Sequence, residues 1–321
     1  MLNFSKEILY INCEMEKERI CNFVKKNCEE MKRDGIIVGL SGGIDSAVTA
    51  ALCVEAIGKD RVLGVILPEK DSNPVSVQYA EKEAERLGIK TKKIDITPTL
   101  KAFGTYMLRD KIIKSIFPDF IEDYTFKITL PPDLLEKDRF NYFTLTVEDK
   151  EGKKKSKRLK KDELNGIVSA TDTKQRMRMM HLYYFAEANN FLVCGTTNKS
   201  EVLQGFFVKY GDGGVDIEPL AHLYKVQVYQ LANYLGIIEE IVKRKPSPDT
   251  FTSNVSDEEF YFRIAYDQLD LLLFAWENNI SISDVCREMN LDKNQVNRAF
   301  RDFQSKYNAT KHLRQLPPSM T

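Results

Sequence analysis

Residues 38–52, VGLSGGIDSAVTAAL, decide the fold. An apolar, β-branched run ends in Ser41-Gly42-Gly43. A carboxylate and a hydroxyl follow at Asp45 and Ser46, and the rest has the composition of a helix. Glycines let the backbone turn tightly and bring bare N–H groups against an anion. The helix expected from Asp45 to about residue 56 adds orphan N–H donors and the positive end of its dipole. Ser41 and Ser46 add hydroxyl donors. Asp45 suits an anion site only with a cation between it and the phosphates, which points to Mg²⁺ and a polyphosphate. The Walker loop needs a lysine that is missing here. A bare Ser-Gly-Gly also makes ordinary strand-to-helix turns, with the acid at the helix start. The full S-G-G-x-D-S, set between a buried strand and an apolar helix, favours the phosphate cradle.

Outward from this loop the chain alternates. Strands are expected at 36–40, at 62–67 closed by Pro68, and at 92–96 closed by Pro98, with a helix over 75–87 ended by Gly88. Successive β–α units argue for an α/β fold with a doubly wound, mostly parallel sheet flanked by helices. Ligands of such sheets sit at the carboxyl ends of strands, where the 41–46 loop lies. Helical spacing of Ile8, Ile11, Ile20, Phe23 and Val24 marks one or two helices ahead of the sheet. From about residue 103 to 170 the rhythm breaks. A strand at 142–147, a turn at Lys150-Glu151-Gly152 and a return at 156–159 read as an inserted β-hairpin. The lysines of 153–161 fit a solvated edge, with an anionic partner as the alternative. The α/β pattern resumes with a helix over 173–189 and a strand over 191–195, and beyond Gly236 the chain is mostly helical. We expect a single domain over 1–321, with N-terminal helices at 1–34, the insertion at 104–170, and C-terminal helices and tail at 250–321.

Lys plus Arg and Asp plus Glu both number 47 in the 321 residues, so no global basic field calls for nucleic acid. No apolar run reaches the length of a membrane span. The start, MLNFSKEILYINCEMEKER, is acidic and amphipathic, unlike a signal peptide, so a cytoplasmic protein is expected. Six scattered cysteines without a C-x-x-C read as reduced thiols, with neither zinc nor a disulfide framework.

A second cluster begins at Gly195. Thr196 and Thr197 end a strand, and Glu201 falls on the next helical turn, able to share a cation with Asp45. Lys209, Asp212 and Asp216 flank G-D-G-G, whose glycines admit a ligand to the backbone. Alone, G-D-G-G is a plain turn and Lys209 and Asp216 a surface pair. Two glycine-rich sites at strand ends of one sheet make a shared ligand the better account.

SGGIDSA resembles the pyrophosphate loop of the ATP pyrophosphatase superfamily (adenine nucleotide alpha hydrolase-like). The run GTTNKSEVLQGFFVKYGDGGVDIEPLAHLYKVQV closely resembles ammonia-dependent NAD synthetase. So do KQRMRMMHLYYFA, PSPD at 246–249 and HLRQLPP at 312–318, in order over about 30–103 and 172–318. The resemblance implies a ligase that binds ATP and nicotinate adenine dinucleotide, adenylates the nicotinate carboxylate, and lets ammonia displace AMP. Asp45 and Glu201 would be Mg²⁺ ligands; Ser41, Gly42, Gly43 and Ser46 the pyrophosphate cradle; Thr196, Lys225 and Ser247 further ATP contacts. With Asp45 and Glu201, Lys225 would be catalytic. Arg176, Lys209, Asp212, Asp216 and His312 would hold the dinucleotide. A homodimer is implied, with the N-terminal helices contributing to it. No glutaminase half is expected, so the nitrogen donor would be free ammonia or a separate partner.

Departures from the family's pattern gather at the acceptor side. Asp172 stands where Asn is usual, Val208 replaces a threonine, and Leu313 replaces the lysine after His312, with Lys311 and Arg314 as candidate substitutes. FYFRIAY follows Asp-Glu-Glu in place of a glycine-containing helix start. They keep open a related ligase for another carboxylic acid. A third reading comes from 280–306, patterned as helix–turn–helix with Asn294, Asn297 and Arg298 on the second helix. Zero net charge gives that DNA-binding reading little phosphate affinity. It is tested by whether the second helix's apolar face is buried.

Overall fold

Helix α1 (Cys13–Glu30) starts at Asn12, whose side chain accepts from the Met15 N–H at 3.1 Å. Its stripe of Ile20, Val24 and Cys28, spaced four apart, is buried against α2. Strand β1 (Gly35–Gly39) follows, then α2 (Ile44–Ile57), β2 (Val62–Ile66), α3 (Pro74–Leu87) and β3 (Lys90–Lys93). The computed structural model describes residues 4–137 and 141–320. The tips of the expected terminal blocks, 1–3 and 321, and residues 138–140 of the expected insertion lie outside the described residues.

Helices α4 (Thr97–Phe103) and α5 (Thr105–Ile116) lead into β4 (Thr125–Thr129), β5 (Thr144–Glu148) and β6 (Lys154–Arg158). Helix α6 (Lys161–Asn189) returns the chain to β7 (Phe191–Cys194). The main sheet has the order β3-β2-β1-β7, all parallel. Strands run outward from β1 to β3 on one side, and β7 joins β1 on the other. The carboxyl ends of β1 and β7 therefore form the topological switch point, the crevice where such sheets bind ligands. Side chains alternate along β1. Ile36 and Val38 join a core with α1, α2 and a later helix, while Ile37 faces Val65, Val193 and Ala186 of α6. Burial on both faces explains why β1 reads as a continuous apolar run.

The expected hairpin is observed, β5 pairing antiparallel with β6, but a third strand, β4, pairs with the other side of β5. Its alternation, with Phe126 and Ile128 buried, is that of a half-buried strand. Helix α6 begins twelve residues before the expected residue 173, so the block called an insertion ends inside it. Gly166 lets α5 pack close against α6: a Cβ there would lie 2.3 Å from Ile112 Cδ1. Strand β3 starts two residues early, at exposed lysines, though Ile94 and Ile96 still donate to the Ile66 and Pro68 carbonyls.

Past β7 come α7 (Lys199–Gln204), α8 (Lys225–Tyr234), α9 (Glu239–Lys243), α10 (Tyr266–Glu277), α11 (Ile282–Met289) and α12 (Lys293–Ala309). A π-helical turn at Glu258–Phe262 precedes α10. The helix–turn–helix pattern is α11 and α12, and the apolar face of α12 (Val296, Ala299, Phe303) is buried in the C-terminal core. Arg298 donates to the Leu135 carbonyl instead of standing free. Among the described residues no helix is long and apolar enough to cross a membrane.

Candidate active site

A cavity of about 640 Å³ opens at the switch point. Its floor is the 41–46 loop. Gly42 has φ +73°, and a Cβ there would meet the Ser76 carbonyl at 2.1 Å, so only glycine fits. Ser46 Oγ donates to the Gly43 carbonyl at 3.0 Å and lies 3.1 Å from Ser41 Oγ, which accepts from the Gly43 N–H at 3.2 Å. Gly43 caps α2 without a side chain, leaving the first-turn N–H groups of that helix unclaimed by any cap.

Facing this loop, Asn198 begins α7 and organises two acids. Its Nδ2 donates to Asp45 Oδ1 at 3.0 Å. Its backbone N–H donates to Glu201 Oε2 at 3.1 Å, and its own Oδ1 accepts from the Glu201 N–H, a reciprocal helix-start box. The remaining oxygens, Asp45 Oδ2 and Glu201 Oε1, both face the buried Lys225 Nζ; the second lies at 3.5 Å. Burial opposes the Lys225 charge, but Asp45, Glu201 and Asp257 overcome it, holding the ammonium's pKa above the lysine range. Burial pushes Glu201 well up; Lys225 opposes the rise, while Asp45 and Asp257 add to it.

The backbone N–H groups of Lys225 and Val226 are held by Ser200 and Asp270 respectively, and Ser200 Oγ itself donates to Asp270. Asp257, at the start of the π-helical turn, lines the same cavity. It accepts from Tyr266 at 3.0 Å, and burial lifts its pKa to about 6. Its Oδ1 is buried without a partner. Asn198 and Asp257 were not picked out by sequence reasoning. Asn198 carried a legible signal, the N-x-x-E of a capping box.

Thr196 lines the cavity at the end of β7, and Thr197 beside it donates through its N–H and hydroxyl to Glu218, at 3.2 and 3.1 Å. Burial raises Glu218 to about 8. Ser247 lines the opposite wall, and its Oγ accepts from the Asp249 N–H at 3.3 Å. A cation missed from the sequence stands nearby: Arg244 donates to the Gly42 carbonyl at 3.4 Å and to Ser76 Oγ at 2.9 Å. Behind this wall, fully buried Lys174 donates to Glu69 Oε1, Asp71 Oδ2 and the Thr250 carbonyl, at 2.8, 2.7 and 3.0 Å. Arg109 also pairs with Asp71. This cluster pins the loops after β2 and after α9 to α6.

The far end is looser. Arg176, Lys209 and Asp212 line the cavity, together with the departures Asp172, Val208 and Leu313. Lys209 Nζ donates to the His312 and Gln315 carbonyls at 2.8 and 3.1 Å, and Lys209's carbonyl accepts from Arg176 Nε at 3.3 Å. Burial raises Asp172 to about 6, against the pull of Arg176. Three expected residues are absent from the lining, Gly42 in the loop and two at this end. Asp216 accepts from Tyr183 and from the Val193 N–H, at 3.0 and 2.7 Å, fastening the G-D-G-G loop to β7 and α6. His312 is exposed and reaches the site through its carbonyl. Arg314 is committed to Val202 and Thr310 and stacks on Tyr307. The first three residues of FYFRIAY complete the π-helical turn and build an aromatic wall, with Phe206 stacked on Tyr261 at 4.9 Å and Phe260 and Tyr261 lining the cavity.

A parallel sheet with a serine–glycine loop and a carboxylate pair across its switch point is the frame in which the family matches below place a carbon–nitrogen ligase. The family model described as NAD synthase matches residues 16–118 and 134–317. The chain belongs to the NAD synthase family. It is 43% identical over 312 residues to the NH(3)-dependent NAD(+) synthetase of Rhizobium meliloti (strain 1021), covering 97% of this chain and 93% of that one. Against the NH(3)-dependent NAD(+) synthetase of Thermotoga maritima identity is 39% over 268 residues, covering 84% and 89%. Among solved structures, NMN synthetase from Francisella tularensis superposes with a TM-score of 0.67 at 24% identity, over 97% of this chain and 99% of that one. The NH3-dependent NAD synthetase of Campylobacter jejuni gives 0.65 at 23%, over 97% and 100%. These two likenesses speak for the fold. Most of 104–170 falls within the matched length, so that block is shared with the Rhizobium relative.

Proposed function

We propose that the chain joins ammonia to nicotinate adenine dinucleotide at the expense of ATP, giving NAD, AMP and pyrophosphate. The observation that carries this is the Asp45–Lys225–Glu201 cluster facing the 41–46 loop, in a chain of the NAD synthase family. A carboxylate resists ammonia because oxide is a poor leaving group, and adenylation supplies a good one. Carboxylate attack on the α-phosphorus joins anions, so the site must neutralise charge.

The loop N–H groups, the Ser41 and Ser46 hydroxyls and the α2 N-terminus would take the pyrophosphate. Lys225 and Arg244 would add positive charge beside it, and Thr196 and Ser247 would flank the nucleotide. Arg176 and Lys209 would hold the dinucleotide's phosphates, Lys209 exchanging tail carbonyls for them, with Asp212 beside them.

The donor atoms fit Mg²⁺: they are all oxygen, with one outward carboxylate oxygen on each of Asp45 and Glu201. Among the described residues no group of three or more acids, histidines or cysteines is arranged as a complete metal cage. An ion held here by the two carboxylates would complete its shell with substrate phosphates. When bound, the ion would neutralise the polyphosphate and polarise the α-phosphorus.

The whole chain would act as one ligase domain in the cytoplasm, using free ammonia or ammonia from a separate glutaminase. A homodimer is supported by exposed Met180 and Tyr184 on α6, the helix that carries Arg176, and by exposed Met15 and Phe23 on α1. Asp172, Val208 and Leu313 in the lining favour a second reading, a ligase for a different carboxylic acid. Incubation with ATP, Mg²⁺, ¹⁵N-ammonium and nicotinate adenine dinucleotide tests the choice. We expect ¹⁵N-labelled NAD equal to AMP; labelled amide only with other acids would establish the second reading.

A further inference from the structure

Each acid of the cluster has one oxygen held by Asn198 and the other turned to one ammonium group. Asp45 Oδ1 and Glu201 Oε2 are fixed by the Asn198 amide and backbone N–H, while Asp45 Oδ2 and Glu201 Oε1 share Lys225 Nζ. The ammonium thus stands where a cation shared by the two outward oxygens would stand. We propose that Lys225 is a place-holding cation that keeps metal out of the Asp45–Glu201 pair until a polyphosphate arrives to accept its ammonium group, with Asn198 presetting both acids for the exchange. This rests on the assignment of Asp45 and Glu201 as the metal's carboxylates.

Charge and burial carry the inference. Lys225 is 2% exposed, and the carboxylates acting on it are those of Asp45, Glu201 and Asp257. The Tyr266 ring covers its other side, 5.3 Å away. A metal ion entering alone must break two ion pairs in a dry place and crowd the displaced ammonium. Leaving a buried charge without its partner is costly. A polyphosphate in the 41–46 loop removes that cost, because its oxygens take the ammonium while the metal takes the acids. Metal and nucleotide therefore enter as one unit, and coupling of this kind is reciprocal between them. Asn198 holds the acids in place through the exchange, because its three bonds are made to the oxygens and N–H that do not move.

Mn²⁺, whose free form is counted by electron paramagnetic resonance, tests this without turnover. Titrated alone into the full chain, Mn²⁺ should bind Lys225→Met and Lys225→Gln at least about tenfold tighter than wild type, the scale on which groups around a metal site tune affinity. Adding Asn198→Ala to Lys225→Met should remove most of that gain. Equal Mn²⁺ affinity in wild type and both Lys225 variants would overturn the proposal. Should the variants fail to fold, wild type alone still decides. Millimolar Mn²⁺ should leave its melting temperature unchanged, and Mn²⁺ with α,β-methylene-ATP should raise it. A full rise from Mn²⁺ alone would again overturn the place-holder. Tight Mn²⁺ binding that survives Asp45→Asn in the Lys225→Met background would instead sink the assignment of the metal's carboxylates.

Discussion

The proposed phosphate end of the cavity and its proposed acceptor end are built differently. At the phosphate end, contacts come from backbone and from side chains whose partners lie within the fold: Gly42 against Ser76, Asn198 across both acids, Asp270 behind Lys225. At the acceptor end Arg176 and Asp212 are exposed, and Lys209 rests on carbonyls of the C-terminal tail. The departures Asp172, Val208 and Leu313 fall at this second end, whereas FYFRIAY sets Tyr266 over Lys225 at the first. A rigid end suits a fixed ligand, the polyphosphate of ATP. An end made of exposed side chains and a tail admits change without loss of fold. On the proposed assignment, adenylation would depend on the more tightly braced part of the site and acceptor choice on the more exposed one.

Substitutions can break or sharpen that contrast. Asp45→Asn should leave the fold intact and lower AMP formation about a thousandfold, the loss typical of a group aimed at developing charge; near-normal rates would remove Asp45 from the chemistry. Lys174→Met leaves Glu69 and Asp71 buried with less compensation and should cost about 3 kcal/mol in urea unfolding. A smaller loss, with unchanged KM for ATP, would mean the two loops are held by other contacts.

Glu218→Gln should act through pH. The folded pKa of Glu218, about 8, lies above its ordinary 4.5, so the folded protein keeps a proton that the unfolded chain releases. Stability from this group is complete below about pH 4.5 and is lost as pH rises towards 8. The variant should therefore show a smaller drop in melting temperature between pH 5 and pH 8.5 than wild type; an identical drop would contradict the raised pKa. The smallest change is expected from Leu313→Lys, which adds an exposed cation at the acceptor end and should lower KM for the dinucleotide only a few-fold, about 0.5–1 kcal/mol. No change at all would count against dinucleotide phosphates at that wall.

Much of this was legible in the chain before any coordinates. The 41–46 loop and the 195–216 cluster stand out because two glycine-rich turns, each with carboxylates beside it, end strands of one sheet. The structure brings Asp45, Glu201 and Lys225 together although 180 residues separate the first and last. Less legible were features fixed by tertiary contact. Helix α6 starts at Lys161, inside the block expected as an insertion, where it packs on α5 with Gly166 close to Ile112. Asp216 reads as a ligand-facing acid, yet its carboxylate is spent on Tyr183 and Val193. Asp257 gave no signal, since an acid followed by two glutamates looks like any solvated helix start. Only the π-helical turn carries it beneath Lys225. Phe126 and Ile128 alternate plainly enough, but prolines on both sides obscured the strand.

The most direct test of the account is isotope exchange between labelled pyrophosphate and ATP, with Mg²⁺ and without ammonia. We expect exchange that requires nicotinate adenine dinucleotide and vanishes in Asp45→Asn, because adenylation precedes attack by the amine and is reversible in its absence. Exchange indifferent to the dinucleotide, or AMP formed only by hydrolysis, would contradict it.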